Sequence, residues 1–253
     1  MKTAPSQERL QPANTFVRQG KAGPKYYRTE LFSVAADEAG PQAHLGDHPA
    51  ESVIRPHFHT VEQFQVYVRG DAMLGKKAVS PTTVQYTDGF TPYGPIVAGP
   101  EGVAFFTLRP RYDAGAKYMP ESRDKLEQKA RRNLVWSKRV DSIETMMLGH
   151  SSRIDVIFDP QPDGLGAWLV RTGPGTRVPS PSSSASGGGQ YWIPMTGPVW
   201  CGASELAPWS CLFAEASSPT PVLTTGSAGS DVLVLQFPLE TGERSEQHLG
   251  ADK

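Results

Sequence analysis

The sequence predicts an all-β protein made of two copies of one domain, and three observations carry that prediction. Short β-branched and aromatic runs recur along the 253 residues, and 25 glycines and 23 prolines lie between them rather than in one tract, which is punctuation for many short strands. Most of the runs alternate apolar and polar positions, as half-buried strands do. The chain also matches itself without a gap at an offset of 127 positions, pairing Gln63 with Gln190, Gly70 with Gly197, Gly75 with Gly202, Pro92 with Pro219, Gly99 with Gly226, Gly102 with Gly229 and Leu108 with Leu235. Most of these identities are turn formers with special backbone demands, and a period this long implies a duplicated domain rather than a solenoid.

Taken in order, residues 1–24 are polar and without clear period, and are read as an N-terminal arm. The first copy spans 25–118, with strands expected near 26–34, 52–59, 62–69, 82–87, 92–98 and 103–111. A connector follows over 119–150. Within it PESRDKLEQKARRNLVW opens on proline and acidic residues and turns basic, an order that suits a helix dipole, so a short helix is expected over 121–134. The second copy spans 151–240, and 241–253 form a tail. The serine- and glycine-rich stretch at 178–189 resembles a linker in composition, but the repeat places it where the first copy carries histidines.

Composition narrows the function. Formal net charge is −1, from 25 Lys+Arg against 26 Asp+Glu, and no basic stretch alternates with aromatics, so a nucleic-acid partner is not expected and a small-molecule ligand is. No apolar run matches a signal h-region or the roughly 20 residues of a membrane helix, so a cytoplasmic protein without a membrane partner is expected. Cys201 and Cys211 form no CxxC pair and read as buried thiols.

The chemistry gathers in RPHFHTVEQFQVYVRG, residues 55–70. Residues two apart on a strand share a face, so His57 and His59 can enter one interior together, with Gln63, Gln65 and Tyr67 on the matching face of the next strand. The spacing His57, His59, Gln63, Gly70 resembles the first motif of the cupin family, and Gly89, Pro92 and Gly94 resemble its second. The resemblance implies two tandem jelly-roll β-barrels, a bicupin, over roughly residues 25–240. It implies a divalent transition metal (Fe, Mn, Ni or Zn) on His57, His59 and Gln63. The ligand set departs from the family at Gln63, where a glutamate is usual, and at Val97, where a third histidine is usual. In the second copy Ser184, Ser186 and Thr224 fill the histidine positions, which makes it a degenerate barrel that binds no metal.

Two readings of the histidine pair stay open. In one, His57 and His59 are catalytic in a metal-dependent dioxygenase, isomerase or lyase acting on a small carbonyl, enol or phenolic compound. In the other they sit in a metal-free pocket, as hydrogen-bonded residues of a binding or sensor protein or as general bases. Gln65, Tyr67, Tyr93 and Arg109 are the candidate substrate-pocket residues, with Tyr93 at the entrance and Arg109 at the barrel mouth, placed to pair with a substrate carboxylate. Glu62 reads as a rim carboxylate. His44 and His48 have a spacing that would make a metal pair on a helix, but the flanking glycine and proline put them in a loop. Jelly-roll edges leave a homodimer open.

Overall fold

The computed structural model describes residues 1–19, 25–128, 134–137 and 145–239. The chain divides into two compact units, Arg9–Ser137 and Met1–Glu8 together with the chain from residue 138 onward. Both are built from antiparallel sheets, as the alternating runs predict.

In the 9–137 unit the strands order as Leu134–Trp136, Val84–Thr87, Gln63–Leu74, Ile96–Arg109, Gln42–His48, Lys25–Phe32 and Thr15–Gln19, with Val53–Ile54 and Lys77–Val79 pairing onto the two long central strands. A two-stranded piece joins His57–Phe58 to Lys117–Tyr118. Gln63–Leu74 shows why the alternation is readable. Phe64 and Val66 face one side and are fully buried, Phe64 against Tyr86 with ring centroids 5.1 Å apart. Gln63, Gln65 and Tyr67 face the other. Burying each such ring contributes about 1.5–3 kcal/mol.

Several expectations change here. The strands expected at 92–98 and 103–111 are one strand, Ile96–Arg109, with a register shift between Ala98 and Val103. Gly102 makes that shift possible: φ is +78°, and a Cβ there would lie 2.5 Å from the His48 carbonyl oxygen. Gln42–His48, expected as a loop, is a strand paired on both sides. Of the helix expected over 121–134, the described residues hold a 3-10 turn at Arg123–Lys125 and a strand at Leu134–Trp136; residues 129–133 lie outside the described ones. The charge order suited a helix, but between Pro120 and Leu134 only Leu126 and Ala130 are apolar, so no apolar stripe exists to pack against a core. The N-terminal arm is also partly strand. Lys2–Ala4 pairs with Cys211–Ala214, and Thr15–Gln19 pairs with Lys25–Phe32.

In the other unit a six-stranded sheet runs Lys2–Ala4, Cys211–Ala214, Gln190–Pro194, Ser230–Gln236, Gly166–Thr172, Ser152–Phe158, and a three-stranded one joins Ser204–Leu206, Val199–Cys201 and Leu223–Thr225. Its core gathers Trp168, Trp192, Val170, Val234 and Leu212. The stretch 178–189 is structured, with a 3-10 turn at Ser184–Ser186 and Ser184 buried. Gly187 and Gly188 pass so close to the carbonyls of Phe237 and Pro238 that a Cβ would meet them at 2.5 and 2.4 Å, which explains the glycines in physical terms.

The repeat carries local geometry with it. A Cβ on Gly70 would lie 2.0 Å from the Gly102 carbonyl oxygen, and one on Gly197 would lie 2.1 Å from that of Gly229. Gly75 and Gly202 share a φ of 59°. Gly70→Ala is therefore expected to destabilise the 9–137 unit by about 3 kcal/mol, since the clash is with backbone and φ is +66°. Urea unfolding checks this, and a loss under about 1 kcal/mol would mean the two strands can separate there at little cost.

Candidate functional site

Inward-facing side chains of the 9–137 unit stack in rows across neighbouring strands. Arg109 forms the first row with Gln63 on one side and its cross-strand partner Gln42 on the other. Thr107 forms the second, opposite both Gln65 and His44, with Glu30 beyond His44. Phe105 forms the third, opposite Tyr67 and Gly46, with Arg28 beyond. All of these residues except Gln63 and Tyr67 line a cavity of about 360 Å³, toward the small end of the roughly 300–1,000 Å³ usual for small-molecule sites.

The first row is a hydrogen-bonded cation. Arg109, 3% exposed, donates from Nη2 and Nε to Gln63 Oε1 at 2.8 and 3.1 Å and from Nη1 to Gln42 Oε1 at 2.6 Å. Its Nη2 lies 3.2 and 3.3 Å from the two ring nitrogens of His59 and 3.9 Å from Asp113 Oδ1. His59 Nδ1 donates to Asp113 Oδ1 at 2.6 Å. Asp113 also accepts from the N–H and hydroxyl of Thr60 at 3.1 and 3.2 Å and from the Gly115 N–H at 2.8 Å. Burial pushes the Asp113 carboxyl up, but the hydrogen bond from His59 and the nearby positive charge outweigh it and hold it below the usual carboxylate range. His59 is neutral, lowered to about 3 by burial and then by the Arg109 charge, against the pull of Asp113.

His57 points elsewhere. Its Nδ1 donates to the Arg55 carbonyl at 2.7 Å, and Nε2 accepts from the Tyr93 hydroxyl at 3.0 Å. The Gln63 amide donates to that same hydroxyl at 2.6 Å. Every donor in this chain meets an acceptor, which assigns the Nδ1–H tautomer. Burial lowers His57 to about 4. The His57 and His59 rings lie 5.3 Å apart at 88°, so both line one cavity while their nitrogens serve different partners.

Other expectations are placed as follows. Arg109 lies in the interior row, not at the mouth. Tyr93 is 5% exposed and bonded to His57 and Gln63 rather than standing at an entrance. Gln65 lines the cavity. Tyr67, although in the third row, does not line it; its ring packs 5.2 Å from that of Phe105. Glu62 is at the rim, in a two-pronged ion pair with Arg111 at 2.7 and 2.8 Å. Val97 is 36% exposed, and its neighbour Ile96 faces the cavity, one position from the motif assignment. His44 and His48, expected in a loop, are buried cavity walls on a strand, and Asp113, Gln42 and Thr107 are the site residues the sequence reading missed. The signal was the alternation of Gln42, His44, Gly46 and His48, which marks an inward face made of polar residues.

No family model and no curated protein matches the chain. Solved structures do. A candidate dioxygenase from Nostoc punctiforme PCC 73102 superposes with a TM-score of 0.60 at 13% identity, covering 88% of this chain and 77% of that one. An oxalate decarboxylase of Bacillus subtilis gives 0.53 at 11%, covering 90% and 76%. A bacterial pirin of Escherichia coli, in complex with nickel(II), gives 0.52 at 10%, covering 94% and 99%. These neighbours are cupin-family proteins, and the likeness is one of fold: an antiparallel jelly-roll β architecture, as the histidine motif implies. No helix among the described residues is long and apolar enough to cross a membrane.

The fold therefore raises a divalent metal as a question for this donor set, and the residues do not fit one. Both nitrogens of His57 and the amide of Gln63 are committed to neighbours, and the Gln63 oxygen accepts twice from Arg109. A guanidinium stands within 3.3 Å of the His59 nitrogens, where a second cation would be repelled. Among the described residues no three His, Cys, Asp or Glu side chains gather as a ligand set.

Proposed function

We propose that the 9–137 unit is a cupin-type barrel acting as a small-molecule enzyme by acid–base chemistry, with the Arg109 guanidinium as its resident cation and the other unit as a second, degenerate barrel. The substrate is a small carbonyl or enol compound, and the reaction is a proton transfer of isomerase or lyase type. The observation that carries this reading is Arg109 lodged between His59 and Gln63.

His59 lines the cavity and is held by Asp113 through Nδ1, which leaves Nε2, 3.3 Å from Arg109 Nη2, as the basic nitrogen, the arrangement of an oriented general base. In the empty pocket Arg109 depresses its basicity. An anionic or enolising substrate offsets the Arg109 charge, so His59 becomes a stronger base when substrate is bound. The proton leaves carbon for Nε2, the electron pair moves to the carbonyl oxygen, and the guanidinium stabilises the resulting enolate. Asp113 stabilises the imidazolium until the proton returns to oxygen or to another carbon.

The expected result is α-proton exchange of 1,3-dicarbonyls or 2-oxo acids in D₂O, followed by NMR, catalysed by EDTA-treated protein. It should fall about 10²–10⁴-fold in His59→Ala and fall in Asp113→Asn. Exchange unaffected by His59→Ala overturns the reading. The cupin-like fold leaves a metal-dependent, dioxygenase-like reaction as the alternative, but Fe, Mn, Ni or Zn on His57, His59 and Gln63 would require those side chains to give up the hydrogen bonds described above. Turnover that needs added metal would establish that one instead.

A further inference from the structure

We propose that this pocket takes aryl-substituted 2-oxo acids, bound as conjugated enol carboxylates. The inference rests on the acid–base reading above and names the substrate class for the same site.

The two units show which part of the pocket is optional for the fold. In the second unit the row equivalent to Gln65–Thr107–His44 is Trp192–Val234–Trp168, and both indoles belong to the packed core. The Trp168 ring lies over Gly166, where a Cβ would meet it at 2.3 Å. The row equivalent to Gln63–Arg109–Gln42 is Gln190–Gln236–Gly166, closed by a direct amide contact at 2.6 Å. A filled, uncharged interior thus satisfies this topology. The polar, hollow interior of the 9–137 unit calls for another reason, and a ligand supplies one.

Four features of the hollow describe that ligand. Gln65 Oε1 and His44 Nδ1 flank Thr107, are buried, line the cavity and have no hydrogen-bond partner among the described residues. The amide oxygen can only accept, so the ligand brings a hydroxyl or N–H to it. The walls carry Arg18, Arg28, Arg55 and Arg109 against Glu30 and Asp113, with Glu121 pairing Arg55 from outside the lining, which leaves one positive charge in excess, and the four wall histidines have lowered pKa values and are neutral. An anion therefore suits the interior. Beyond the polar rows stands an aromatic wall, in which His48 stacks 4.5 Å from Tyr26 and 5.3 Å from Phe105, at 13° and 7°. Gly46 admits the His48 ring, since a Cβ there would lie 3.1 Å from Nε2. A planar ring fits against that wall.

An aryl 2-oxo acid in its enol form has these parts in the matching order. Its carboxylate lies toward Arg109 and His44, its enol O–H donates to Gln65, and its conjugated ring reaches the aromatic wall. His59 stands beside the carbon that gains or loses the proton. Ketonisation balances without a redox partner: the enol O–H bond breaks and a C–H bond forms.

Calorimetric binding to the full chain tests the class with unreactive analogues. 3-Phenyllactate is expected to bind at least tenfold more tightly than 3-phenylpropanoate, which lacks the hydroxyl, than lactate, which lacks the ring, and than 3-phenylpropane-1,2-diol, which lacks the charge. Gln65→Leu should erase the preference for the hydroxyl and keep those for ring and charge, and those retained preferences report that the variant is folded. Equal binding of phenyllactate and phenylpropanoate, or a hydroxyl preference that survives Gln65→Leu, overturns the proposal. The two readings fail separately. Ligand preferences without tautomerisation of phenylpyruvate would sink the acid–base reading alone, whereas exchange of other oxo acids without these preferences would sink the substrate class alone.

Discussion

Arg109→Met is expected to lose about 3–5 kcal/mol of stability in the 9–137 unit, more than any other single change at the site. The side chain is 3% exposed, and the carboxylate of Asp113 lies 3.9 Å from it. Removing one partner of a buried charge pair leaves the other uncompensated, which costs far more than the pair contributes against an apolar replacement. The Gln63 and Gln42 oxygens lose their donors as well, at about 1–3 kcal/mol for each buried acceptor left unpaired. His59 should become more basic, because the Arg109 charge is, after burial, the largest cause that lowers it. Arg109→Gln separates fold from chemistry. The second unit carries Gln236 at this position, bonded to Gln190 at 2.6 Å, so an amide facing Gln63 is an arrangement this sheet accommodates. That variant restores a donor to the Gln63 oxygen but leaves Asp113 uncompensated, so it should recover only about 1–3 kcal/mol of the Met variant's loss and still lose about 10²–10³ in α-proton exchange. Urea midpoints for both variants, with the His59 titration followed by NMR, check the account. Unchanged stability in Arg109→Met would show that Asp113 is neutral or well solvated, and the electrostatic description of the site would be wrong.

What was legible in the sequence were the features that backbone sterics dictate. Gly70, Gly102, Gly197 and Gly229 sit where strands approach too closely for a Cβ, and only glycine answers that demand, so the sequence match at an offset of 127 falls on positions with the same backbone constraint. The inward face of Gln63, Gln65 and Tyr67 followed from strand periodicity. What was missed follows from the same rule applied to a face of the opposite polarity. Gln42, His44, Gly46 and His48 alternate inward, but period-two reasoning looks for apolar residues inside, and a ligand cavity reverses the pattern. Arg109 was misplaced because an arginine is rarely buried without a partner, and although Asp113 stands four residues on, its hydrogen-bond acceptors Gln63 and Gln42 come from distant segments that no local window connects. The motif also lost register at Val97, where the inward residue is Ile96 and either choice is apolar.

Stability of the 9–137 unit should fall steeply as pH drops from about 6.5 toward 4, well before the other unit responds. In the folded unit His57 and His48 are lowered to about 4 and His59 to about 3, chiefly by burial, and His44 is lowered as well. In the unfolded chain each titrates near 6.5. Between those limits the unfolded state binds protons that the folded state refuses, so stability rises with pH and is lost as pH falls. Each pH unit of displacement is worth about 1.4 kcal/mol, so His57 alone costs about 3 kcal/mol by pH 4. Four such imidazoles together reach the whole stability of an ordinary domain, about 5–15 kcal/mol. Asp113 does not oppose the trend in this window, because its depressed pKa matters only below the ordinary carboxylate value near 3.9. The rest of the chain has only His150 and His248, and four of the five tryptophans, Trp168, Trp192, Trp200 and Trp209, belong to it. Proteolytic cuts inside 9–137 should therefore appear near pH 5 while tryptophan fluorescence still reports a folded second unit. His57→Gln should flatten the dependence by about 1.4 kcal/mol per pH unit. A flat stability profile from pH 7 to 5 would mean that these imidazoles are already charged or solvated, and that the interior is wetter than its hydrogen bonds imply.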